Sequence, residues 1–151
     1  MKMNIKKILV PTDFSETGLL ALEHASFLAR LVKAELILHH VLPLNEYYFE
    51  IPEPIMRIDN HDEINRVVDQ KLAEAANETR TNYGIMPKVI STRGKIANEV
   101  MQIAQEQKID LIVIGTHGAS GFEELLIGSN AHKVVTRAPC PVITVQTHAK
   151  K

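Results

Sequence analysis

Tryptophan is absent from the 151 residues, cysteine occurs once, and no apolar run approaches the ~20 residues that a membrane-spanning helix needs. The single thiol, Cys140, excludes an internal disulfide and fits a reducing compartment, where its expected role is that of a small core residue. Charge of one sign is also missing: 17 basic against 18 acidic side chains leave a net charge of -1, which offers no field for nucleic acid. The apolar run after Lys6 and Lys7 ends at once in Pro11-Thr12-Asp13, too short for a signal peptide, so a cytoplasmic protein that does not enter the membrane is expected. Several catalytic signatures are lacking too. There is no Gly-x4-Gly-Lys-Ser/Thr phosphate loop, no Gly-x-Ser-x-Gly nucleophile elbow, and no histidine or cysteine spacing that would build a metal site.

What remains is the composition of an ordinary globular protein, 45% apolar and 23% charged, at a length that fits one domain spanning residues 1–151. The run 5-IKKILVPT-12 reads as a buried strand. Asp13 and Ser15 are both candidate N-caps for the helix that follows, with Glu16 placed three residues after Asp13 as in a capping box. Leu19, Leu22, Ala25, Leu28, Ala29, Leu31 and Val32 supply its core-facing stripe. A second strand covers 34–42. From Pro43 to Asn60, three prolines and scattered aromatics fit neither period and read as a long connection. A helix over 61–83 carries Ile64, Val67, Val68, Leu72, Ala75 and Ala76 on one face, and Gly84 is its expected stop. Strands at 86–93, 109–115 and 139–146 alternate with helices at 95–107 and 129–137. The alternation predicts an α/β fold: one open, five-stranded parallel sheet with helices on both faces.

In such a sheet, ligands bind beyond the carboxyl ends of the strands, where the strand order reverses. If the fourth strand lies beside the first, on the side away from the second, three segments converge: Pro11-Thr12-Asp13, the end of the second strand at Val41, and the loop 115-GTHGASGFEELLIGSN-130. That loop holds Gly115, Gly118, Gly121 and Gly128, four of the seven glycines in the chain. Gly115 and Gly118 can take positive φ and bring backbone close to a ligand. Gly128-Ser129 opens a helix whose first amides favour an anion, with Ser129 as its expected cap and Lys133 one turn further in. The same glycines also suit a tight turn with no ligand at all, and Asp13 serves equally as a helix cap or as an acceptor for ribose hydroxyls. His39 and His40 are adjacent in a strand, so they point to opposite faces and do not share a metal. His117 is either an acid, base or phosphate donor, or an exposed loop residue.

Taken in order, 8-ILVPTDFSE-16, 36-LILHHV-41, 112-IVIGTHGASG-121, 127-IGSNA-131 and 138-APCPVITV-145 resemble the universal stress protein family along the whole chain. The spacing Gly-x2-Gly-x9-Gly-Ser, met by Gly115, Gly118, Gly128 and Ser129, marks the members of that family that bind ATP. The resemblance implies a Rossmann-like fold of the adenine nucleotide alpha hydrolase type. It implies that Asp13 meets the ribose, that Pro11 and Thr12 shape the floor, and that Val41 holds adenine through its backbone. Gly115, Thr116, His117 and Gly118, with Gly128, Ser129 and Asn130, would cradle the phosphates, with Mg²⁺ or a similar ion between them. It further implies a homodimer joined through the last strand, Val142 to Val145.

The expected function is therefore that of a nucleotide-responsive regulatory protein of the stress response, with ATP as a ligand. Two alternatives stand beside it. One is a slow ATP hydrolase or adenylyl-transfer enzyme, for which His117 is the candidate acid or base, although the His-x-Gly-His and Ser-Gly-Gly-x-Asp-Ser signatures are both missing. The other is a nucleotide-free dimerisation module in which the glycines are structural.

Overall fold

Ile8, Leu9 and Val10 are all wholly buried, although successive side chains of a strand point to opposite faces of its sheet. A strand of this kind needs cover on both sides, and the computed structural model, which describes residues 2–43, 61–117 and 127–147, provides it. The elements are β1 (Lys7–Pro11), α1 (Glu16–Val32), β2 (Glu35–Pro43), α2 (His61–Tyr83), β3 (Lys88–Gly94), α3 (Ile96–Glu106), β4 (Leu111–Gly115), α4 (Ser129–Arg137) and β5 (Val142–Val145). The five strands form one sheet in the order β3-β2-β1-β4-β5, and every pairing is parallel.

Two apolar cores follow from the pleat. Ile8, Val10, Leu36, Leu38 and Val113 point toward α1 and α2, where Leu22, Val68 and Leu72 meet them. Leu9, Ile37, Val41, Ile112 and Ile114 point the other way, toward Val100 and Ile103 of α3 and Val134 of α4. The predicted fold class is thus the observed one.

The stripe expected on α1 needs correction. Leu22, Ala25 and Ala29 are buried as expected, but Leu19, Leu31 and Val32 are exposed, and Thr17, Gly18, Ala21 and Ser26 complete the buried face. Small side chains let the helix lie close on the sheet, so the large aliphatics flanking them are turned outward. On α2, Val68, Leu72, Ala75 and Ala76 are buried as expected, whereas Ile64 and Val67 in the first turns are exposed. Gly84 has φ 70° directly after α2, which suits its predicted role as the stop. The connection expected over 43–60 lies, beyond Pro43, outside the described residues.

The choice between two N-caps on α1 resolves to Ser15, whose hydroxyl accepts the amide of Gly18 at 3.2 Å. Asp13 instead accepts the amide of Ser15 through Oδ1 at 2.9 Å, turning the chain just before the helix, so the capping box with Glu16 is not formed. Removing the cap in Ser15→Ala is expected to lower stability by about 1 kcal/mol, read from urea unfolding curves.

At the opposite, amino end of the strands, Asp110 ties β4 to β1. Its Oδ2 accepts the amides of Lys6 at 2.9 Å and Lys7 at 3.0 Å, while its own amide donates to the Lys7 carbonyl at 3.0 Å.

Candidate functional site

The strand order reverses at β1, which has β2 on one side and β4 on the other. The condition set by the sequence is met, and the carboxyl ends of these three strands open onto one cavity of about 180 Å³. Pro11, Thr12, Asp13, Val41, Gly115, Thr116, His117, Gly128, Ser129 and Asn130 all border it. Gly118 lies outside the described residues, as does Gly121. Lys133 is exposed and does not border the cavity.

The turn after β1 forms one rim. Thr12 is buried, and its Oγ1 accepts the amide of Phe14 at 3.1 Å. Phe14 is held at φ 63°, a left-handed conformation that costs a bulky residue about 1–3 kcal/mol and persists only where packing enforces it. Its ring lies 4.7 Å from that of His40 and 5.5 Å from the Lys71 ammonium, and His40 donates through Nδ1 to the Thr12 carbonyl at 2.7 Å. Asp13 is thereby presented on a rigid turn at the cavity mouth.

The glycine turn after β4 forms the facing rim, for a reason other than the expected one. Among the described glycines only Gly84 and Gly94 have positive φ, so Gly115 does not. A Cβ at Gly115 would lie 2.9 Å from the carbonyl carbon of Thr17, 3.0 Å from its oxygen and 3.1 Å from the amide nitrogen of Gly18. The glycine allows β4 to press against the first turn of α1. Thr17 adds a hydrogen bond from its hydroxyl to the His117 carbonyl. Gly128 closes the segment by donating its amide to the Thr116 carbonyl at 2.6 Å, and a Cβ there would stand 3.0 Å from that same oxygen.

Ser129 was expected as the cap of α4, but it is the first helical residue, and Gly128 holds the cap position with no side-chain hydrogen bond. The helix therefore starts at the cavity without a side chain of its own covering its first amides, the arrangement that favours an anion.

Sequence reasoning missed Ser15, Gly18, His39, Ile96, Ile114 and Ala131, which also border the cavity. His39 was legible, since it lies two residues before Val41 and shares its face of the strand. It is fully buried, with Nε2 2.7 Å from Thr92 Oγ1, and its pKa is lowered from 6.5 to about 4, first by burial and then by the neighbouring His40. His117 pairs Nδ1 with Thr116 Oγ1 at 2.9 Å and leaves Nε2 buried without a partner.

The sequence profile described as the universal stress protein family matches residues 4–146. The chain belongs to the universal stress protein family. Universal stress protein MJ0577 of Methanocaldococcus jannaschii is 31% identical across 97% of this chain and 98% of its own. The MJ0577 structure superposes with a TM-score of 0.81 at 30% identity, covering 99% of this chain and all of the other. Universal stress protein YxiE of Bacillus subtilis is 34% identical over 93% of this chain and 98% of its own. A universal stress protein solved in complex with cAMP shares 26% identity and a TM-score of 0.65, with 94% and 97% of the two chains covered. Among the described residues of this universal stress protein, no helix is long and apolar enough to cross a membrane.

Proposed function

We propose that the cavity binds ATP and that the protein is a nucleotide-responsive regulator of the stress response, acting in the cytoplasm. The observation that carries this reading is the convergence, at the reversal of strand order, of a carboxylate (Asp13), an apolar wall (Val41, Ile96, Ile114) and the uncapped start of α4. These suit a ribose, a base and phosphates respectively. The family relative that carries cAMP supports an adenine nucleotide as the ligand class. Among the described residues no three histidine, cysteine or carboxylate side chains gather into a metal site, so a divalent ion would arrive on the nucleotide phosphates. Pairing of two copies through β5 is part of the proposal, supported by the position of that strand at the sheet edge and by exposed Ile143.

Thermal unfolding with and without Mg-ATP tests the reading. Nucleotide at about a thousandfold excess over its dissociation constant stabilises by about 4 kcal/mol, or roughly 10 °C at this chain length. No shift at millimolar nucleotide would overturn it. Slow hydrolysis is the second reading, favoured by the unpaired Nε2 of His117. Phosphate release measured in the same samples separates a substrate from a ligand.

A further inference from the structure

Among the described residues, Phe14, Lys33 and Lys108 take positive φ without being glycine. Lys33 is the C-cap of α1, and Lys108 lies two residues past the end of α3, so both stand where a left-handed residue ordinarily stops a helix. Phe14 has no such reason. It precedes a helix, at φ 63°, and its bulky side chain makes it a genuine outlier there. A backbone outlier beside a binding cavity points to a use for the conformation itself.

The contacts around residue 14 show what holds it. Up to Thr12 the chain is tied to β2: the Thr12 amide donates to the His39 carbonyl at 2.8 Å, and the Thr12 carbonyl accepts Nδ1–H of His40 at 2.7 Å. Beyond that point the Phe14 ring takes over, 4.7 Å from the His40 ring and 5.5 Å from the Lys71 ammonium of α2. Asp13, between these two anchored residues, borders the cavity, whereas Phe14 does not. The Asp13 carboxylate is also tied forward, to the amide of Ser15, the residue that caps α1. A negative φ at residue 14 would turn the chain before it against the chain after it, and Asp13, tied to both, could not keep its place. We infer that Phe14 is a positioning residue. Its left-handed backbone, held by the ring contacts with His40 and Lys71, sets where the Asp13 carboxylate stands at the cavity mouth, without touching the ligand itself.

This assignment rests on the nucleotide reading above. Two substitutions separate backbone from ring, because glycine accepts φ 63° without strain and alanine does not. Titration calorimetry of Mg-ATP is expected to show Phe14→Ala binding about tenfold more weakly than the wild type. Phe14→Gly, although it removes more of the side chain, is expected to stay within about threefold of the wild type. In an Asp13→Ala background, Phe14→Ala is expected to change affinity by less than about twofold, since its effect runs through the missing carboxylate. Three results overturn the assignment: Phe14→Ala binding as tightly as the wild type, Phe14→Gly binding as weakly as Phe14→Ala, or Phe14→Ala costing as much without Asp13 as with it. Where Phe14→Ala does not fold, Phe14→Leu, which keeps apolar volume at the place of the ring, is compared with Phe14→Gly in the same way. A wild-type protein that takes up no Mg-ATP overturns the nucleotide reading, and this assignment with it.

Discussion

Gly115→Ala is expected to lower the unfolding free energy by about 2 kcal/mol, or roughly 6 °C in melting temperature, and to weaken the proposed nucleotide binding in the protein that remains folded. The added Cβ would meet the backbone of Thr17 and Gly18 at 2.9–3.1 Å, not the movable end of a side chain. Rotamer changes cannot relieve such contacts, so β4 and the start of α1 must move apart. The same residue pairs with Val145 in the ladder, and the next amide, that of Thr116, donates to the Val145 carbonyl at 2.9 Å. A displacement here therefore reaches the rim formed by Thr116 and His117. An unchanged melting temperature, measured by calorimetry without ligand, would show that the close approach is not a constraint.

Acidification gives the second large effect, and its sign follows from His39. Above pH 6.5 the ring is neutral in both folded and unfolded chains and contributes no pH dependence. Below that, the unfolded chain takes up a proton that the folded protein refuses until about pH 4, because burial, reinforced by His40, disfavours the charged ring. Unfolding is thus favoured progressively as pH falls from 6.5 to about 4, by at most about 3 kcal/mol for this one group. Other groups titrate in the same window, so the informative quantity is the difference between wild type and His39→Leu. Urea unfolding at several pH values is expected to show a wild-type stability that falls more steeply than that of the variant. Parallel curves would mean that His39 takes up its proton in the folded state as it does in the unfolded chain.

Much of this architecture can be read from periodicity, because the sheet is buried on both faces and its strands are short apolar runs between turn residues. The ends of the strands are less legible. The strand predicted from Ile109 joins the ladder only at Leu111, since Ile109 is buried by packing while strand pairing requires a partner, Ile8, at the right register. On α1 the rule that large aliphatics face inward fails because the intimacy of helix and sheet selects for Ala21, Ala25 and Ala29. At the site, the fold places the residues around Asp13, Val41, Gly115 and Gly128 on one cavity, but the reasons differ from those spacing suggests. Gly115 answers to a neighbouring helix, and Ser129 yields the cap to Gly128. Position 39 was read only as the wrong face for a shared metal site. Its burial and its unpaired nitrogen emerge only once Thr92 of β3 is placed beside it.

The tie made by Asp110 to Lys6 and Lys7 lies at one end of β1, and the cavity lies at the other. From Lys7 to Pro11 the strand advances four steps, about 13 Å at ~3.3 Å per residue. Sites more than ~7–10 Å apart that share no partner usually change stability independently. Substitutions at the Asp110 clamp and at the cavity should therefore be additive in their effects. The clamp is then a place where thermal tolerance can be tuned, by selection or by design, without retuning what the cavity recognises.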